Sequence, residues 1–247
     1  MYRQKALIEP RRGRSERSLP PFGMLILTER DIEDFLIAYG GELDRSHRIF
    51  LSNVFVRSCS NARVAVAGPI LGAPQAVLVL EKMIALGVRD FLVYGWCGSL
   101  QKDVRIGDII LPKWAISEEG TSRHYPVGGR PGADLEFYAR VLSALKESSG
   151  EYVIHQGGVW TTDAPYRETV DKVIEYQSEG ILGVEMETSA LFTVASYRKA
   201  RVASILIVSD ELSSLEWKPG YRDKRFHSVR QSLMRDLWSL VPYDTEV

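Results

Sequence analysis

Two glutamates one residue apart, Glu185 and Glu187, flank Met186 within GVEMETSALF, residues 183–192. An apolar run (Ile181, Leu182, Val184) precedes them, and a helix-like run (Ala190, Leu191, Phe192, Val194, Ala195) follows. Carboxylates where a buried strand hands over to a helix stand at the carboxyl end of a sheet, where open α/β folds keep their ligands. Acids so placed are candidates for ligand contact or proton transfer. A Glu at this position also suits the first turn of a helix, where it complements the dipole, and one such residue alone does not separate the two readings.

Two more strands are expected to end in polar residues: one in Thr161, Thr162 and Asp163, the other in Ser209 and Asp210. All three ends are expected at one edge of the sheet. Burying several acids there costs stability unless each has a partner or a task. Helix capping by each acid is the structural alternative, but no metal-ligand set accompanies the grouping to give it another purpose.

The elements that must position these residues follow from hydrophobic periodicity. Residues 24–27 read as a buried strand and 31–39 as a helix with Ile32, Phe35, Leu36 and Tyr39 on one face, stopped by Gly40 and Gly41. Residues 50–57 and 62–67 form an expected strand pair turning at Ser60 and Asn61, followed by an amphipathic helix over 75–86. Residues 91–94 are apolar on both faces, as a central parallel strand requires, and Gly95, Trp96, Cys97 and Gly98 read as a sharp turn after it. Strands are further expected at 106–116, 152–160 and 201–208, and helices at 133–147, 167–176 and 224–240. This alternation predicts a single-domain, three-layer α/β fold with a mainly parallel, mixed central sheet covered by helices.

At 247 residues the chain can bury one large core, so residues 22–247 are expected to form one domain. Residues 1–21 are an Arg-rich extension, expected to be flexible or ordered in an oligomer; they lack the apolar stretch of a secretion signal. A net charge of -1 argues against binding nucleic acid by bulk electrostatics. Two cysteines and four scattered histidines offer no metal spacing, so no metal is expected. No stretch reaches the roughly 20 apolar residues of a membrane span, so a cytoplasmic location and no membrane partner are expected.

GVEMETSALFTVA closely resembles the signature of the nucleoside phosphorylase family that includes uridine phosphorylases and hexameric purine nucleoside phosphorylases. LGVRDFLVYGWCGSL followed by VRIGDIILP resembles that family's central strand and glycine turn. EEGTSRHYP is similar to the segment after it, and SILIVSDEL to the purine-type strand ending in Ser-Asp. The similarity runs from about Met24 to the chain's end.

The resemblance implies cleavage of a nucleoside N-glycosidic bond, with phosphate as co-substrate, no cofactor, and a homo-oligomer (a dimer, or a hexamer as trimer of dimers). By their match to the motif, Glu187 would hold the ribose 2′- and 3′-hydroxyls and Met186 would pack under the sugar. Asp210 would protonate or hydrogen-bond the purine N7, which requires a carboxyl that holds a proton near neutral pH. Base contacts are further expected from Trp160, Asp163 and Trp96. EGTSRHY is closer to uridine phosphorylases, yet the Gln and Arg that read uracil there have no counterpart beyond Arg167; Asp210 favours a purine.

The phosphate site departs from the family. Its Gly-Asp-Pro-x-Arg loop is reduced to Thr28, Glu29 and Arg30, its central-strand Arg falls at Val93, and its Ser or Thr of the glycine turn falls at Trp96. Arg30 and Arg48 are the remaining candidates for holding phosphate. Glu29 stands where related nucleosidases place the base that activates water, so a phosphate-independent hydrolase is the runner-up, and a non-catalytic nucleoside-binding protein the third possibility.

Overall fold

A computed structural model describes residues 6–39, 43–59, 62–148 and 150–240. The apolar strands build the middle of one ten-stranded sheet. Strand β1 (Phe22–Ile26), buried at every position, pairs in parallel with β4 (Ala62–Gly68) on one side and β5 (Asp90–Ser99) on the other. Beyond β4 lie β3 (Ser52–Cys59) and the edge strand β2 (Leu43–Ile49), both antiparallel. The polar sequence of β2, LDRSHRI, carries no alternation that would have announced a strand. The expected turn at Ser60 and Asn61 and the stop at Gly40 and Gly41 lie outside the described residues.

On the other side of β5 the sheet closes on itself. Strand β9 (Arg201–Glu211) runs parallel to β5 and antiparallel to β6 (Ile109–Ser117). Strand β6 is parallel to β7 (Ile154–Thr161), β7 to β8 (Gly183–Glu185), and β8 returns antiparallel to β5. These five strands form a ring, and a two-residue strand, β10 (Lys218–Pro219), pairs outside β9. The expected parallel core is thus present within a mixed sheet.

Helices α1 (Glu29–Tyr39), α2 (Ala73–Leu86), α3 (Leu135–Glu147), α4 (Val170–Ser178), α5 (Thr188–Arg198) and α6 (Lys224–Asp236) cover the strands. Helix α5 shows how burial overrides amphipathicity. Its first eight residues, Thr188 to Ala195, are all buried, because it lies between α2 and strands of the ring. The expected closing helix ends at Asp236 and continues as a 3-10 turn, Leu237–Leu240. Part of the N-terminal extension lies on the body: Glu9 pairs with Arg198, Glu16 with Lys82, and Leu19 is buried.

Two expectations about the site-bearing strands are corrected. Residues 95–98 do not turn; β5 continues through them to Ser99. Their glycines serve close packing. A Cβ on Gly95 would stand 2.6 Å from Leu27 Cδ1, and one on Gly98 would stand 2.5 Å from Leu212 Cδ1 and 3.0 Å from Asp210 Oδ2. Nor do the three polar strand ends share one edge by parallel pairing, since β8 opposes β5 and β9. The ends of β8 and β9 approach because Gly98 is the common partner of Val184 and Asp210, and the end of β7 joins them through the parallel pairing of Thr161 with Glu185. Gly98→Ala is therefore expected to displace the Asp210 carboxylate and to overpack the strand, costing about 1–3 kcal/mol; denaturant titration beside nucleoside kinetics would show both losses together.

Candidate active site

A cavity of about 1010 Å³ opens over the ring where β5, β8 and β9 meet. Its floor is Trp96, Cys97 and Gly98 from β5, Val184 to Glu187 around the end of β8, and Ser209 and Asp210 from β9. Its walls come from the start of α1 (Thr28, Glu29), the loop before α2 (Pro69, Ile70, Leu71), Gln75 of α2, a 3-10 segment (Pro165, Tyr166) with Glu168, and Trp217 and Tyr221 after β9.

The two glutamates of the motif are not equivalent. Glu185 is saturated by protein donors: the Thr161 hydroxyl, and the backbone N–H groups of Glu187 and Thr188, each at 2.7 Å. It ties the end of β8 to β7 and to the first turn of α5. Glu187 Oε1 accepts the Gly72 N–H at 2.5 Å. Gln75 fixes the loop that carries this donor, accepting from Leu71 N and donating to Ser52 Oγ and Pro69 O. Burial, then the charge of Glu185, pushes Glu187 up to about 8. A buried acid left this short of donors is suited to take hydroxyls from a ligand. Met186 lines the cavity beside it.

Asp210 belongs to the same floor. Its Oδ1 accepts the Ser209 hydroxyl at 2.7 Å and its Oδ2 the Trp217 indole N–H at 3.0 Å. Burial raises its pKa against both hydrogen bonds, so the carboxyl is biased toward holding a proton. The positions of Gln75, Glu168, Trp217 and Tyr221 had no signal in periodicity, because loops and a distant helix bring them in. Cys97 is a buried free thiol whose pKa burial raises well above the ordinary value, and it makes no nucleophile.

Of the aromatic residues expected to meet a base, Trp96 lines the cavity, with its ring 5.0 Å from Phe226 and 6.1 Å from Tyr221. Trp160 does not: it lies in a small core with Leu100, Val173, Tyr176, Ile181, Val184 and Leu212, its ring 4.8 Å from Tyr176. Asp163 is exposed, accepts the Gly120 N–H at 2.8 Å and is outside the lining. Arg167 lines a separate, shallower hollow.

At the α1 wall of the cavity Thr28 caps α1, accepting the Asp31 N–H at 3.2 Å while donating to Asp31 Oδ2 at 2.6 Å. Glu29, the helix's first residue, is exposed and reaches the cavity wall. Arg30 and Arg48 are exposed and outside the lining, and Arg48 Nε donates to Phe50 O at 3.2 Å. Among the described residues no Arg, Lys or His lines the cavity. Arg230 of α6 is a buried cation, held between Asp31 Oδ1 at 2.6 Å and Asp34 Oδ2 at 2.5 Å. No group of His, Cys, Asp and Glu among the described residues is suited to hold a metal ion, and no described helix is long and apolar enough to cross a membrane.

Comparison with known proteins bears on this site. A family profile described as "Phosphorylase superfamily" matches residues 39–235. A guanosine phosphorylase of Halorubrum lacusprofundi is 32% identical over 143 residues, which span 58% of this chain and 58% of that relative. A DeoD-type purine nucleoside phosphorylase of Brevibacillus brevis is 32% identical over 161 residues, 64% of this chain and 68% of its own. The crystal structure of a uridine phosphorylase from Vibrio fischeri ES114 superimposes with a TM-score of 0.79 at 20% identity, covering 93% of this chain and 99% of that one. It carries the same fold.

Proposed function

The chain belongs to the phosphorylase superfamily, and we propose that it cleaves the N-glycosidic bond of a purine nucleoside by phosphorolysis, giving free base and ribose 1-phosphate. The observation that carries this reading is the pairing, in one cavity, of the buried carboxyl of Glu187, bonded to the Gly72 N–H, with the carboxyl of Asp210, bonded to Ser209 and Trp217 and raised in pKa by burial. Glu187 takes the ribose hydroxyls, with Met186 under the sugar. Asp210 faces the base. As the C1′–N9 bond breaks, its electron pair moves onto the purine and the Asp210 proton passes to N7, while a phosphate oxygen bonds to C1′. Trp96 and Trp217 supply flat faces at the base end.

Asp210→Asn is expected to lower kcat for inosine or guanosine by about 10²-fold, in the usual range for a lost general acid. It should matter little for a riboside whose leaving group departs without protonation, such as 4-nitrophenyl riboside, and equal losses on both would remove Asp210 from the proton transfer. Trp217→Phe, which deletes one hydrogen bond to Asp210, should cost about 5- to 10-fold on the same substrates, corresponding to about 1–1.4 kcal/mol.

Among the described residues, no cationic side chain lines the cavity to receive phosphate. Arg30, beside Glu29, and Arg48, in this chain or a second copy, are proposed to supply the charge as homo-oligomer and substrate assemble. The same lining favours a second reading, hydrolysis, in which Glu29 takes a proton from water attacking C1′. Assaying base release with and without phosphate separates the two.

A further inference from the structure

The acids around the cavity differ in what the protein gives them. Glu185 has three donors, Glu187 has the Gly72 N–H, and Asp210 has the Ser209 hydroxyl and the Trp217 indole. Glu168 also lines the cavity, at the end of the 3-10 segment Pro165–Arg167, where its own N–H is bonded to Pro165 O. No hydrogen-bond donor reaches its carboxyl among the described residues, although it is half-buried. Burial and the charge of Asp210 push it up to about 7, and Tyr221 is raised by burial first and then by the charges of Asp210 and Glu168. Glu168, Asp210 and Tyr221 line the same cavity.

An unpartnered carboxyl in a partly buried wall costs stability that a ligand's N–H groups would recover. The ribose hydroxyls are already assigned to Glu187, so the donors available to Glu168 are those of the base. We propose that Glu168 is a specificity-determining residue that accepts hydrogen bonds from N–H groups on the six-membered ring of the purine. This rests on the purine reading of the site. A carboxylate there rewards a base that presents a ring N–H or an exocyclic amine, and penalises one that presents bare ring nitrogens, whose lone pairs would meet its own. Asp210 and Glu168 thus divide the base between them, with N7 on one carboxyl and the six-membered ring on the other.

The test compares inosine, guanosine and purine riboside, the last carrying no N–H on its six-membered ring. The wild type is expected to prefer inosine and guanosine over purine riboside by about 10- to 100-fold in kcat/KM. Glu168→Ala should erase that preference, and Glu168→Gln, which keeps a carbonyl acceptor without the charge, should retain part of it. Calorimetric binding of hypoxanthine against unsubstituted purine, without phosphate or turnover, should give the same ranking for the three proteins. A full preference surviving in Glu168→Ala overturns the proposal. Turnover of none of these nucleosides, with Glu168-dependent discrimination between the free bases intact, would instead overturn the catalytic reading and leave Glu168 as the base reader.

Discussion

Glu187→Gln is expected to lower kcat/KM for any nucleoside by about 10²- to 10³-fold, the scale on which a preorganised transition-state contact is lost, while the protein stays folded. Gln keeps the shape and can still accept from Gly72 N, but it cannot hold two ribose hydroxyls as a carboxylate does. The same substitution has a signature in stability. The carboxyl is held up to about 8, against an ordinary value of 4.5, by burial first and by Glu185 second. The folded state therefore keeps a proton that the unfolded chain has lost. The stability this confers is complete below about pH 4.5 and falls as pH rises toward 8, by at most about 1.4 kcal/mol per unit. Denaturant titrations between pH 5 and 8 should show this decline in the wild type and a flatter profile in the Gln variant. With Glu187 holding the ribose as proposed, nucleoside binding favours the ionised carboxylate and should release a proton near pH 7, visible as a buffer-dependent binding enthalpy that the variant lacks.

The second large effect falls on folding. Arg230 is 3% exposed and Asp31 fully buried, and the two are joined at 2.6 Å beneath the start of α1, across 199 residues of sequence. Arg230→Ala leaves Asp31 buried without its cation, and breaking such a pair costs about 3–5 kcal/mol. That is a large share of a typical domain's stability. Replacing both members, as Asp31→Leu with Arg230→Met, should recover much of the loss, because the expense lies in the orphaned charge rather than in the missing attraction. Melting and denaturant curves of the single and double variants measure this directly. A single variant as stable as the wild type would contradict the role assigned to the pair. Because Asp31 also accepts the hydroxyl of Thr28, the residue preceding Glu29, the single variant is expected to loosen the α1 wall of the cavity as well.

What the sequence disclosed follows the kind of physics involved. Apolar runs such as residues 24–27 and 201–208 and the periodic face of residues 75–86 report burial locally, and the structure has strands and helices there. The two-carboxylate motif was equally legible, because strand, acid and helix are consecutive. Glycine was misleading at 95–98. Its missing Cβ lets Leu27 and Leu212 approach a continuing strand, and nothing local distinguishes that use from a turn. Strand direction was also hidden: β8 is too short to reveal its partners, and its antiparallel pairing with β5 depends on how the ring closes. Trp160 was legible only as a large aromatic residue; its place under the site, against Tyr176, is a fact of packing. Glu168, Gln75, Trp217 and Tyr221 enter from segments whose own patterns carry no sign of the cavity they meet.

One measurement decides whether phosphate or water attacks the sugar. Inosine and guanosine are incubated with the protein in buffers with and without inorganic phosphate, following base release by absorbance and the sugar product by phosphorus NMR. Base release that requires phosphate and yields ribose 1-phosphate in equal amount is the predicted result. Release at the same rate without phosphate, yielding free ribose, would contradict it and transfer the chemistry to water and Glu29.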